Sequence, residues 1–197
     1  MTKIGLFGGS FDPIHYGHLQ IADWTRQHLA LEKIIFIPAA IPPHKLHSII
    51  ASAEHRYTMI QLAIAQYPHF EISDVELNRT GISYTIDTVN YYRDMYSLQR
   101  EELFLLIGGD SLMDLPSWRF PDKILSNCTV VVYQRRGTNP ASLPDDIARQ
   151  VRILDTPIID ISSTMIREKI AAGESITNLT SPHVAEYISV HHLYGCK

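Results

Sequence analysis

The chain has 197 residues, 45% of them hydrophobic, and a formal net charge of -4 at neutral pH. That is enough apolar material for one α/β domain with a buried core, and it excludes an intrinsically disordered chain. A net negative surface is badly matched to a polyanion, which excludes a general nucleic-acid binder while leaving room for a local basic patch that holds a nucleotide.

Two cysteines, Cys128 and Cys196, offer neither a disulfide framework nor zinc spacing and suit a reducing compartment. The N-terminus enters strand-like sequence at once, and no signal-peptide pattern or apolar run of about 18 residues occurs. The expectation is a cytoplasmic protein without a membrane partner, folded as one domain over residues 1–197. No internal repeat or low-complexity tract interrupts it.

A strand is predicted over 3–7. It is followed by Gly8-Gly9-Ser10-Phe11-Asp12-Pro13-Ile14-His15-Tyr16-Gly17-His18, which opens a helix predicted over 17–29. Glycines let backbone N–H groups approach a phosphate, and a helix N-terminus favours an anion. His15 and His18 are spaced so that one turn can aim both imidazoles the same way, each able to donate to a phosphoryl oxygen. The alternatives are a plain strand-to-helix turn with incidental histidines, or a zinc site, which would lack a third ligand.

A second strand over 33–38 precedes Pro42-Pro43-His44-Lys45, where Lys45 either grips a nucleotide phosphate or is solvated. A helix over 54–66 presents Met59, Leu62, Ala63 and Gln66 on one face, and Arg56 reads as structural. After a strand over 70–77, Ser83-Tyr84-Thr85 begins a helix over 86–96 whose unpaired N–H groups suit a carboxylate; Thr85 reads equally as a plain cap. A fourth strand over 102–107 runs into Gly108-Gly109-Asp110. Asp110 accepts ribose hydroxyls or caps a helix at Ser111. Trp118 then stacks on a flat ring or packs in the core. Arg135 follows a strand over 129–134 and reaches a phosphate or solvent.

A sixth strand over 151–154 leads to Ile161-Ser162-Ser163-Thr164-Met165-Ile166-Arg167 and a helix over 163–172. Three hydroxyl residues can cap that helix and still offer donors to an anion. Arg167, read as lying in the first turn, is a cation opposing the helix dipole, a placement that makes sense beside an anion. A final helix is predicted over 183–190, with His191 and His192 read as surface residues. Alternating strands and helices imply an α/β fold with a mostly parallel sheet flanked by helices, its ligands beyond the carboxyl ends of the strands.

The turn at 8–18 and the Ile-Ser-Ser-Thr-x-Ile-Arg run at 161–167 resemble the two signatures of the nucleotidylyltransferase superfamily. The longer form of the first signature, with Pro-Pro-His-Lys, Ser-Tyr-Thr-x-Asp-Thr and Asp110 with Trp118, resembles the nicotinate-nucleotide adenylyltransferase family from end to end. Two departures concern loop shape: Arg135-Arg136-Gly137 where the family has Arg-Pro-Gly, and His192-Leu193-Tyr194 where it has Gly-Leu-Tyr. The resemblance implies a Rossmann-like three-layer fold and transfer of AMP from ATP to nicotinate mononucleotide. It implies His15, His18 and Arg167 as catalytic residues. Gly8, Gly9, Ser10, Phe11, Ile161, Ser162 and Thr164 join them at ATP. Lys45, Tyr84, Thr85, Gly109, Asp110, Trp118 and Arg135 are implied at the acceptor.

The attacking phosphate would already be largely dianionic, with a second pKa of about 6, so no general base is needed. Mg2+ would ride mainly on the ATP phosphates, with no protein metal cage. Other acceptors, such as phosphopantetheine or nicotinamide mononucleotide, and a nucleotide sensor without turnover are the competing expectations.

Overall fold

A computed structural model describes residues 2–40, 50–133, 145–157 and 159–195. Lys45 and Arg135, with Pro42-Pro43-His44, Arg136-Gly137 and Cys196, lie outside the described residues.

Six strands form one sheet: β1 (Ile4–Gly9), β2 (Lys33–Pro38), β3 (Phe70–Ile72), β4 (Leu103–Gly108), β5 (Thr129–Tyr133) and β6 (Arg152–Leu154). Their order is β3-β2-β1-β4-β5-β6, and every neighbouring pair is parallel. The expected mostly parallel sheet is wholly parallel among the described residues. Chain direction across the sheet reverses between β1 and β4, and such a switch point opens a crevice at the carboxyl ends of the two strands.

Side chains alternate between the faces of each strand and build two cores. Phe7, Ile34 and Phe36 pack under α1 (Tyr16–His28), α2 (Ala53–Ile64), α7 (Ser163–Ala171) and α8 (Pro182–Val190). Ile4, Leu6, Ile35 and Ile37 pack under α3 (Thr85–Tyr96), α4 (Gly109–Asp114), α5 (Pro121–Asn127) and α6 (Asp145–Ala148). The result is the expected helix–sheet–helix sandwich. No helix among the described residues is long and apolar enough to cross a membrane.

The structure corrects four local expectations. Gly8 and Gly9 belong to β1 rather than to a loop after it, in register with Ile37 and Pro38 of β2. β3 ends at Ile72, well short of residue 77, because Ser73 Oγ accepts the Val75 N–H (3.2 Å) and Asp74 O accepts the Asn78 N–H (3.0 Å), which turn the chain. The buried face of α2 is Arg56, Met59, Ile60, Ala63 and Ile64; Gln66 is exposed beyond its end. α4 begins at Gly109 with Gly108 as N-cap, so Asp110 lies in the first turn and is not the cap.

Candidate active site at the β1–β4 crevice

After Gly9 the chain turns sharply through Phe11, whose φ is 47°, and a cis Asp12–Pro13 peptide. The Phe11 ring is driven into the core, edge-on to Phe7 (centroids 5.5 Å apart) and to His18 (5.0 Å). What Phe11 offers a ligand is therefore chiefly backbone. His15 is the N-cap of α1 and stacks on His18 with centroids 3.7 Å apart and planes at 27°. The His15 N–H donates to His18 Nδ1 at 3.3 Å. A ring nitrogen accepting that bond carries no proton, so the neutral His18 ring bears its N–H at Nε2. Both rings are buried, but His18 lines the crevice while His15 stands behind it. Gly17 makes this packing feasible: a Cβ there would lie 2.9 Å from His15 Nδ1.

The turn is held from four directions. The buried Asp12 carboxylate accepts the Ile50 N–H (2.8 Å), the Ala51 N–H (3.2 Å) and the Tyr194 hydroxyl (2.6 Å). Burial first, and the adjacent Asp12 carboxylate second, push the Tyr194 phenol far above its ordinary pKa, so it remains a donor. Arg56, 1% exposed, donates to Ser10 O and to Ala39 O, each at 2.8 Å. Desolvation lowers its pKa against the opposing pull of Asp12 and Tyr194, yet a guanidinium stays charged. Arg56 is structural as expected, and its role is specifically to hold this turn.

The second signature docks directly on the first. Ser162 caps α7 by accepting the Met165 N–H at 3.1 Å. Ser163 Oγ donates to Pro13 O at 2.9 Å. Arg167 lies beyond the first turn of α7, contrary to expectation, and reaches back: Nη1 donates to Asp12 O (2.8 Å) and Nη2 to Thr164 Oγ1 (3.2 Å). Ile161 is half-buried against the core and is not on the crevice wall.

Between the signatures lies a cavity of about 410 Å³ bordered by Gly8, Gly9, Ser10, Phe11, His18, Thr85, Asp110, Trp118, Ser162, Thr164 and Arg167. A Cβ on Gly8 would meet no protein atom within 4 Å. Packing does not require glycine there, whereas a ligand approaching the backbone does. A second cavity, of about 370 Å³, is bordered by Ser83, Tyr84, Thr85, Ser117, Trp118, Arg119 and Ile124. Thr85 and Trp118 line both, so the two cavities share a wall. Tyr84, under the Arg119 guanidinium at 4.5 Å, is the N-cap of α3, and its side chain does not cap the helix; Thr85 is the first helical residue. Trp118 is half-buried against the second core and still faces both cavities. Gly109 is buried and borders neither.

Ser163 is expected only as one of three capping hydroxyls and Asp12 sits inside the first signature, so their positions were visible but their bonds were not. Glu76, Arg79 and Thr88 form a further cluster beside the start of α3. Thr88 Oγ1 donates to Glu76 Oε1 (2.8 Å), and Arg79 Nη1 donates to both Thr88 Oγ1 and Ser83 Oγ (2.8 Å each). Burial lifts the Glu76 pKa, against the lowering effects of the Thr88 hydroxyl and the Arg79 charge. The local signal was a Glu and an Arg three residues apart, just before the Ser-Tyr-Thr-x-Asp-Thr run that holds Ser83 and Thr88.

The chain matches the cytidylyltransferase-like family over residues 6–169. It is 40% identical over 195 residues to the probable nicotinate-nucleotide adenylyltransferase of Shouchella clausii, covering 99% of this chain and 98% of that one. To the probable enzyme of the same name from Oceanobacillus iheyensis it is 41% identical over 196 residues, covering 99% and 98%. In fold it is similar to the Plasmodium falciparum nicotinic acid mononucleotide adenylyltransferase complexed with NaAD, with a TM-score of 0.82, 19% identity and coverage of 100% of this chain and 99% of that one. Signatures, switch-point crevice and near-full-length similarity converge: the chain belongs to the nicotinate-nucleotide adenylyltransferase family.

Proposed function

We infer that this chain transfers the AMP moiety of ATP to nicotinate mononucleotide, releasing pyrophosphate and forming nicotinate adenine dinucleotide in NAD biosynthesis. The observation that carries this is the docking of the two signatures. Arg167 on Asp12 O and Ser163 on Pro13 O bring a guanidinium, hydroxyls and His18 to the lining of a cavity that shares Thr85 and Trp118 with a second cavity.

A phosphate oxygen of the acceptor attacks the α-phosphorus, and the bond to the pyrophosphate oxygen breaks. The acceptor phosphate is largely dianionic at neutral pH, so the protein's tasks are alignment and charge neutralisation. His18 Nε2–H, the Arg167 guanidinium and the Thr164 hydroxyl are assigned to the polyphosphate. Ser162 and the backbone of Gly8 to Phe11 complete the ATP side. His15 holds His18 in place. Thr85 and Tyr84 at the start of α3, with Trp118 as ring platform and Asp110 at the ribose, are assigned to the acceptor. Lys45 and Arg135 remain assigned to its phosphate on sequence grounds, with Gly109 beside Asp110.

The donor is read as the magnesium complex of ATP, the ion held chiefly by phosphate oxygens and water. The Asp12 carboxylate of the first signature is taken up by Ile50, Ala51 and Tyr194, which leaves the ion to phosphate oxygens and water in this reading. A cytoplasmic setting is proposed with it, supported by the buried free thiol of Cys128.

The test is to supply ATP with each acceptor in turn and follow pyrophosphate release. A carboxylate facing helix-start N–H groups is stabilised, whereas an amide also presents an NH₂ to donors. Leaving buried donors unpaired costs roughly 1–3 kcal/mol. Nicotinate mononucleotide should therefore exceed nicotinamide mononucleotide by at least about tenfold in kcat/KM. Equal rates with the two acceptors would overturn the substrate assignment.

A further inference from the structure

On the acceptor side, four side chains link the two cavities from within the protein. Glu76 and Thr88 border the first cavity and Ser83 borders the second. Arg79 joins them, with one nitrogen donating to Thr88 Oγ1 and Ser83 Oγ, while the Thr88 hydroxyl donates in turn to Glu76 Oε1. Ser83 stands immediately before Tyr84, the N-cap of α3, and Thr88 lies one turn into that helix. The network therefore brackets the helix start on both sides.

We propose that Arg79, Thr88 and Glu76 are positioning residues that set the preference for an acid over an amide on the acceptor ring, by fixing the start of α3 and holding one cation beneath it. This rests on the acceptor assignment given above. Arg79 is engaged by hydroxyls and borders neither cavity, so it acts through Ser83 and Thr88. Its charge adds to the positive end of the α3 dipole, and both favour a carboxylate over a neutral group. Glu76 anchors the far end through Thr88. Without the Thr88 hydroxyl, the guanidinium loses an acceptor and the intermediary that separates it from the Glu76 carboxylate. Pairing directly with Glu76 would then neutralise the charge that the helix start presents.

The test is Thr88→Val, which keeps the side-chain shape and removes the hydroxyl, paired with Thr88→Ser, which keeps the hydroxyl. Steady-state kinetics would vary ATP, nicotinate mononucleotide and nicotinamide mononucleotide separately. The expected result for Thr88→Val is an acceptor KM raised about fivefold, the scale of one hydrogen bond. The acid-to-amide ratio of kcat/KM should fall with it, while the ATP KM changes less than about twofold. Thr88→Ser should retain the wild-type ratio. A Thr88→Val enzyme with the wild-type ratio, or with both KM values raised together, would overturn the proposal. If circular dichroism shows Thr88→Val unfolded, Ser83→Ala, which removes the other hydroxyl from the loop, takes its place with the same expected fall and the same overturning result. A wild-type enzyme that does not prefer the acid defeats the acceptor assignment. A wild-type enzyme that does, beside variants with an unaltered ratio, defeats the network alone.

Discussion

At the scale of single residues, one glycine lets the two imidazoles of the first signature stack. Gly17 has no φ that demands glycine; it is excluded from being anything larger by the His15 ring, 2.9 Å from where a Cβ would stand. Gly17→Ala should tilt His15, and His18 with it, while leaving the apolar core beneath intact. Displacing a positioned group by about an ångström can cost on the order of 10² in rate, so kcat should fall about 10- to 10²-fold with little change in urea midpoint. A Gly17→Ala enzyme of normal kcat would mean that the stacked geometry is dispensable. The two histidines were legible as residue types at a spacing. Which one lines the cavity was not, because it depends on a backbone N–H that fixes one ring and a Cβ that is missing elsewhere. Asp12 was legible only as a letter of the signature, since its partners come from residues 50, 51 and 194.

At the scale of elements, continuous apolar runs announced the strands correctly, because strands of a parallel sheet are buried on both faces. The stretch from Phe70 misled, since the Ser73 side chain and the Asp74 carbonyl turn the chain before the apolar Val75 and Leu77 that suggested a longer strand. α5 escaped notice because it is short, begins with Pro121 and follows Phe120 at a φ of 55°. The start of α3 was found, but its supporting cluster was not, and that cluster carries a pH signature. Burial raises the Glu76 carboxyl above its ordinary 4.5 despite Thr88 and Arg79. The native state thus holds this proton more tightly than the unfolded chain does. The contribution of Glu76 to stability accordingly falls as pH rises from the unfolded value through the folded one. Glu76→Gln keeps an oxygen for Thr88 and removes the charge. Relative to wild type it should melt higher at neutral pH, with the difference shrinking on acidification towards about pH 4. Thermal melts across that range check the sign, and a difference that grows on acidification would contradict it.

At the scale of the whole molecule, the turn proposed to hold ATP is assembled from both ends of the sequence. Residues 10–15 supply the turn, while α7 and Tyr194 clamp it through Pro13, Asp12 and the Asp12 side chain. The three-layer architecture and the ligand edge were legible from strand–helix alternation. The clamp was not, because a bond spanning nearly the entire chain leaves no local pattern. Tyr194→Phe removes one donor from a buried carboxylate, a loss of roughly 1–3 kcal/mol. The urea midpoint should drop, and the ATP KM should rise more than the acceptor KM, because the Asp12 turn is on the ATP side. Unchanged stability together with an unchanged ATP KM would show that the Ile50 and Ala51 donors suffice.

The Tyr194–Asp12 bond joins residues 182 positions apart. During synthesis at ~5–20 residues per second, the turn containing Asp12 emerges on the order of ten seconds before its last partner. A nascent or prematurely terminated chain can therefore display every letter of the first signature without its final clamp. Until Tyr194 is made, the Asp12 carboxylate has only the Ile50 and Ala51 N–H donors to hold it among the described residues.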